Sequence, residues 1–472
     1  MMPNGSALTP QQTVEHALSL ARPGGECVVI ADEASTANLR WAGNTLTTNG
    51  VAVSRSLTVI AIDRRSDGSA GVGTVTRTGL RPDQVEDLVR EAEKAAAQAS
   101  PAEDVSDLVV PDATIRSDKS WDLVPQTTEV GVLRRFAADL GQTLRAAEAA
   151  DRKLYGFAEH GVTATFVGTS SGVRLRYDQP AGRLELNAKS PDMTRTAWDG
   201  VATRDFTDVD VAALDAGLAR RLQWQSRRLE MPAGRYETLL PPTATSDLLT
   251  YMYWSAGARD AAEGRTVFSR PGGGTRVGER LASLPVSIFS DPSYPGLECA
   301  PFVVAHGSGR DSSVFDNGLP SPRASWISDG VLGALHSSRF SAAKAGLPVT
   351  PMVDNLIMSA PDASASLPSM IASTRRGLLL TCLWYIREVD PRTLLLTGLT
   401  RDGVYLVENG EVVGAVNNFR FNESPVGLLG RLMEVGATAA TLPREWGDYF
   451  NRAAMPPVRV DAFNMSSVSQ AS

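Results

Sequence analysis

Two Asn-Gly dipeptides, Asn49-Gly50 and Asn409-Gly410, each stand between β-prone segments. Asn-Gly is a strong hairpin signal, because a two-residue type I′ turn needs positive φ at both central residues. One pair lies near the start of the chain and the other near its end, so antiparallel sheet is expected in both halves. The first pair joins residues 38–46 to 51–63, with a further strand at 71–78. The second joins 403–408 to 411–416. Turn residues at 169–172 and 179–182 divide strands at 154–167, 173–177 and 184–189.

Between these strands the apolar period changes to that of a helix. Residues 10–21 have Thr9 as cap and Pro10 as first residue. Residues 82–99 place Val85, Leu88, Val89, Ala92 and Ala96 on one face, and 127–150 do so with Leu133, Phe136, Leu140 and Leu144. A third long helix is expected over 209–228. Residues 100–120 are acidic with Pro and Ser, which reads as a surface linker. After 231 the chain is strand-rich, with strands expected at 285–289, 325–335, 378–386, 394–400 and from 458, and a short helix at 425–435. The expected architecture is α+β. Residues 1–230 would form an antiparallel sheet with long helices, and 231–472 a strand-rich, barrel-like domain.

A chain of 472 residues exceeds one ordinary core, which agrees with more than one domain. Its net charge of −7 argues against nucleic acid as partner. Cys27, Cys299 and Cys382 are too far apart for a disulfide framework or a C-x-x-C site. The longest apolar run, 378–386, falls far short of the roughly 20 residues that span a bilayer. The N-terminus lacks a basic region followed by an apolar core. A soluble cytoplasmic protein is the expectation.

No catalytic constellation stands out. The histidines are His16, His160, His306 and His336, and none is followed by Glu, so a helical H-E-x-x-H zinc site is excluded. A scattered set of Cys299, His306, Asp311 and His336 is the remaining metal candidate. Gly168-Thr169-Ser170-Ser171-Gly172 matches G-x-S-x-G, but the nucleophile elbow needs a helix after it and 173–177 reads as strand. Gly272-Gly273-Gly274-Thr275 lacks the G-K-[ST] ending of a P-loop.

The order of segments nevertheless resembles a known family. Leu39-Arg40-Trp41-Ala42-Gly43-Asn44, then GSAGVGTVTRTGL, then the helix at 82–99, is similar to the N-terminal domain of the TldD/PmbA family. AGRYETLLPPTATSDLL resembles that family's P-G-x-Y-x-V-x-L-x-P segment before its site helix. Ser313 to Pro320 resembles the F-D-D-E-G-x-P box, 326–332 the I-x-x-G-V-L strand, 342–346 A-x-K-x-G, and 407–411 I-E-N-G-E.

The resemblance implies a subunit of a zinc peptidase that acts on peptides and unstructured segments within an enclosed chamber. TldD-type chains carry H-E-x-x-x-H on the site helix and a late Cys ligand. TldE/PmbA-type chains carry neither and form a heterodimer with a TldD-like chain. In this sequence the motif positions fall on Leu249, Thr250 and Trp254, and the late Cys would fall within 442–448, where there is none. The resemblance therefore implies the metal-lacking type. It implies no catalytic residue and no cofactor in this chain, with zinc in the partner. Asn417, Asn418, Arg420 and Phe421 follow a strand and mix amide, Arg and aromatic groups. They are the candidate contacts to an extended peptide held at a strand edge. A free-standing hydrolase using His306 or His336, and a homodimeric peptide-binding protein, remain open alternatives.

Overall fold

The computed structural model describes residues 8–112 and 120–469. Residues 113–119 of the expected linker lie outside them, as do 1–7 and 470–472. The neighbouring Leu108 and Val109 are buried against the first sheet.

That sheet is fully antiparallel, in the order β3-β2-β1-β4-β5-β6. Its strands are β1 (Glu26–Ala42), β2 (Thr45–Arg64), β3 (Ala70–Thr78), β4 (Lys153–Thr169), β5 (Arg174–Lys189) and β6 (Thr196–Thr203). Successive side chains alternate faces. Cys27, Val29 and Ala31 therefore meet α1 (Pro10–Leu20) and α2 (Val85–Gln98), while Val28 and Ile30 look the other way. Thr9 caps α1 in a capping box with Gln12. Further along the strands, Leu39 and Trp41 pack under α3 (Arg134–Ala149) and α4 (Val211–Trp224).

Two expected turns are absent. β2 runs straight through Asn49-Gly50, and the β1–β2 turn is Gly43-Asn44, with φ of 56° and 67°. Both orders of the dipeptide tolerate positive φ, so tertiary contact decides between them. The Asn44 side chain donates to the Arg152 carbonyl (2.8 Å) and accepts from the Leu154 N–H (2.7 Å). β5 likewise runs through 179–182. Pro180 pairs with β4, while β6 pairing begins only at Gly182, so the missing proline N–H falls on an unpaired side. Asn409-Gly410 does turn the chain, with φ of 50° and 84°.

The remaining strands build two more sheets. A ten-stranded sheet includes β7 (Arg228–Leu229), β8 (Gly234–Leu240), Arg376–Leu380, Leu383–Asp390, Leu395–Thr400, Phe419–Glu423 and Val458–Val468. A six-stranded sheet includes Ser287–Ser290, Ala324–Ser328, Leu356–Ser359, Ala439–Thr441 and Ala453–Met455. Both are open, which corrects the barrel-like expectation. The expected strand at 378–386 is two strands, and the expected helix at 425–435 is a helix, Pro425–Leu429, followed by a strand, Leu432–Val435.

One helix, α5 (Pro242–Trp254), joins these two sheets in a single core cluster. Leu248, Leu249, Met252 and Tyr253 share it with Leu378, Phe421 and Phe463 of one sheet and with Ile288, Trp326 and Met358 of the other. From Ala244 to Tyr253 every side chain but Tyr251 is buried, as expected of a helix enclosed on all sides. Its N-cap is Pro241, and Pro242 fits the first helical position, where no N–H is needed. Among the described residues no helix is long and apolar enough to cross a membrane.

Candidate functional site

α5 is held in place by residues 442–446. The Trp446 indole N–H donates to the Asp247 carbonyl (2.8 Å), and the Glu445 N–H donates to Asp247 Oδ1 (2.9 Å). The two stretches singled out in sequence as the degenerate metal positions, on α5 and at 442–448, thus lie in contact.

Their contents are packing groups. Leu249 is core. Trp254 meets Trp446 edge-on, with centroids 5.3 Å apart, and Phe450 at 6.1 Å. Thr250 is fully buried, and its hydroxyl has no protein partner. An aliphatic, a hydroxyl and an indole do not make a zinc donor set. Among the described residues no three His, Cys, Asp or Glu side chains gather as a metal-binding group. The residues present on α5 therefore do not fit the family's metal.

Sequence reasoning passed over a polar cluster in the same place. Asp247 is fully buried, and its Oδ2 has no hydrogen-bond partner. Burial pushes its carboxyl well above the usual range, and the nearby Glu445 carboxylate adds to the shift. Arg444 donates to Asp402 Oδ2 (3.0 Å) and lies over the Trp384 ring at 4.4 Å and the Trp198 ring at 5.1 Å. The Glu445 carboxylate accepts the N–H groups of Tyr385 and Ile386, each at 3.1 Å. A signal was present in the sequence: Asp247 is the one charged residue between Glu237 and Arg259.

Of the scattered candidates, only His336 and Asp311 come close to each other. His336 is buried beside Tyr253, its ring nitrogens have no protein partner, and burial holds its pKa below the ordinary value. Asp311 is its neighbour across Gly257. His306 turns away to the first sheet, with Nε2 3.0 Å from Asp32 Oδ2. Cys299 is buried, and burial pushes its thiol up to about 12, so it is not a thiolate at neutral pH. His160 is held by Thr128 and the Arg204 carbonyl. Ser170 accepts the Cys27 N–H (2.9 Å) in a β4–β5 turn with no helix after it, which is a structural role.

The candidate peptide contacts lie on or beside the strand Phe419–Glu423, which is paired on both sides. Asn417 accepts the Met231 N–H (2.8 Å), Asn418 accepts from Thr400 (3.3 Å), and the Phe421 ring is fully buried against Phe463. Arg420 is exposed. No strand edge is free at this point. A cavity of about 350 Å3 lies elsewhere, between the first sheet and the second half. Ala202, Ala439, Tyr294 and Arg452 line it, as does the Arg204–Glu298 ion pair (2.7 Å).

Residues 233–467 match the model of the PmbA/TldA metallopeptidase C-terminal domain. No curated protein shows significant similarity to the chain. Among solved structures, TldE from Thermococcus kodakarensis superposes with a TM-score of 0.75 at 17% identity, covering 96% of this chain and 98% of the other. A Thermotoga maritima protein described as a candidate modulator of a DNA gyrase gives 0.75 at 17% identity, covering 96% and 99%. A Bacteroides thetaiotaomicron protein described in the same way gives 0.72 at 14%, covering 97% and 98%. At these identities the structures establish a shared fold, and the domain match supplies the sequence link. The chain belongs to the TldD/PmbA family.

Proposed function

We propose that this chain is a TldE/PmbA-like, non-catalytic subunit of a heterodimeric zinc peptidase. A TldD-like H-E-x-x-x-H partner would carry the metal and the general base, and this chain would supply part of the wall around the substrate. The observation that carries the reading is the filling of α5. Leu249 and Trp254 pack into the core at the degenerate motif positions, and the 442–446 segment closes over them. A core helix filled in this way offers no metal ligand at the motif positions. The 350 Å3 cavity is the concave surface this reading assigns to peptide substrate.

Co-expression with an H-E-x-x-x-H family member tests it. The two chains are expected to purify together, with peptide hydrolysis and stoichiometric zinc in the pair and neither in this chain alone. Hydrolysis by the isolated chain, abolished by substituting His306 or His336, would instead establish a free-standing hydrolase.

A further inference from the structure

The strand Leu383–Asp390 is the edge of the ten-stranded sheet, and its register breaks after Trp384. Trp384 stands opposite Leu399 and Arg387 opposite Thr397, so Tyr385 and Ile386 share the one position of Gly398. This is a β-bulge whose first residue is left-handed, for Tyr385 has a φ of 53°. That place ordinarily takes glycine, because a Cβ there crowds the backbone, and a bulky residue in it is an outlier.

The surroundings fix the strained form. The Glu445 carboxylate accepts the N–H groups of both bulge residues and pairs with Arg387 at 3.2 Å. The Glu445 N–H is itself bonded to Asp247 of α5, so the bulge is braced on that helix. On the other side, a Cβ on Gly398 would come within 2.5 Å of the Phe421 ring and 3.0 Å of the Trp384 carbonyl oxygen. The strand facing the bulge is therefore closely packed as well.

The strain does not serve burial. Among the other bulky residues with left-handed backbone, Phe206 and Leu394 lie in the core, where packing offsets the cost, and Met193 closes a tight turn. Tyr385 stands within a strand and is 56% exposed. Its ring meets the Trp384 ring edge-on, with centroids 5.6 Å apart and planes at 90°, and the Arg387 guanidinium lies 5.8 Å from its centroid. Bulges re-aim side chains, and strain that is kept without burial points to what the residue contacts.

We propose that Tyr385 is a contact through which this chain holds an extended peptide, and that it takes an aromatic residue of that peptide. Trp384 already packs on the ring edge-on, and the exposed part of the ring can take a second aromatic group in the offset or edge-on geometry such pairs prefer. Arg387 beside the ring disfavours a second cation there, and Glu445 already engages that guanidinium, so no carboxylate is called for. This inference rests on the proposed subunit role, in which α5 and the 442–446 segment form part of the substrate wall, because Glu445 of that segment fixes Tyr385 in place.

Fluorescence anisotropy of two labelled peptides on the full chain tests it. Both are short and built of Gly, Ser and Gln, one with Phe at its centre and the other with Ala. The Phe peptide is expected to bind about fivefold more tightly. Tyr385→Gly should abolish the difference with a urea midpoint no lower than that of wild type, since glycine is unstrained at positive φ. Tyr385→Phe keeps the ring and should keep the preference. Equal affinity for the two peptides in wild type, an undiminished preference in Tyr385→Gly, or a midpoint of Tyr385→Gly below wild type overturns the proposal. The subunit role fails separately, on co-purification. A hydrolysing pair in which Tyr385→Gly leaves the ratio of Phe-peptide to Ala-peptide cleavage unchanged keeps that role and overturns this inference. A chain that prefers the Phe peptide through Tyr385 but recruits no H-E-x-x-x-H partner supports the contact and overturns the subunit role.

Discussion

Asp247 shows how far one residue's environment outruns its sequence context. The side chain is fully buried, Oδ1 is engaged by the Glu445 N–H, and Oδ2 has no protein partner. Burial, with Glu445 nearby, raises its pKa in the folded state. The folded chain then keeps a proton that the unfolded chain has released. This contribution to stability is full below the ordinary carboxyl value of 3.8 and is lost as pH rises from there through the raised value. Asp247→Asn keeps the acceptor for Glu445 and removes the titration. Above neutrality the variant is expected to be more stable than wild type by on the order of 1 kcal/mol, the gap closing as pH falls toward 4. Urea unfolding from pH 4.5 to 8 reads this directly. A variant less stable than wild type at pH 8 would mean that the carboxylate is charged and favourable there. In sequence, Leu249, Thr250 and Trp254 could be judged as packing from their side chains alone. Asp247 could not be judged, because a lone acid on a helix is ordinarily solvated, and the Glu445–Trp446 segment that closes over it lies some two hundred residues away.

At the level of elements, the helices were more legible than the turns. α1 and α2 follow a local apolar period and local caps, so their sequence windows contain most of what fixes them. A turn is chosen in competition. Gly43-Asn44 and Asn49-Gly50 carry the same local preference, and the first wins through the Asn44 contacts to Arg152 and Leu154, more than a hundred residues away. Glycine also acts by absence. A Cβ on Gly73 of β3 would meet the Ala92 carbonyl oxygen and the Ala96 nitrogen of α2, both backbone atoms that cannot rotate aside. Gly73→Ala must therefore push α2 off the sheet, a cost of roughly 1–3 kcal/mol for overpacking. The same change at Gly217, half-buried on α4 with nothing within 4 Å of a Cβ, should be neutral or slightly stabilising. Paired urea titrations of the two variants test this, and equal midpoints would remove the steric account of the Gly73 position.

Across the whole molecule the two halves share a core. Phe302, Val314 and Phe315, from the second half, pack with Val28, Ile30, Ile60 and Ile62 on the open face of the first sheet. The Arg64 guanidinium lies 5.5 Å from the Phe315 ring centroid, and Arg339 pairs with Asp316 at 2.6 Å beside it. A boundary near 230 marks where one sheet's strands end and the others' begin, but it does not predict independent folding, because a composition shift carries no information about which distant face a loop will cover. With Phe315 fully buried at the centre of this seam, Phe315→Ala is expected to cost about 3–5 kcal/mol. If the seam couples the halves, that loss is felt in both. Hydrogen exchange against denaturant then reports it at two sites remote from each other, β1 in the first sheet and α5 between the other two. In the wild type both should lose protection at one midpoint, and Phe315→Ala should lower both together. A first sheet that keeps its midpoint while α5 opens early would show two units that merely touch, with the 302–316 segment held by the second half alone.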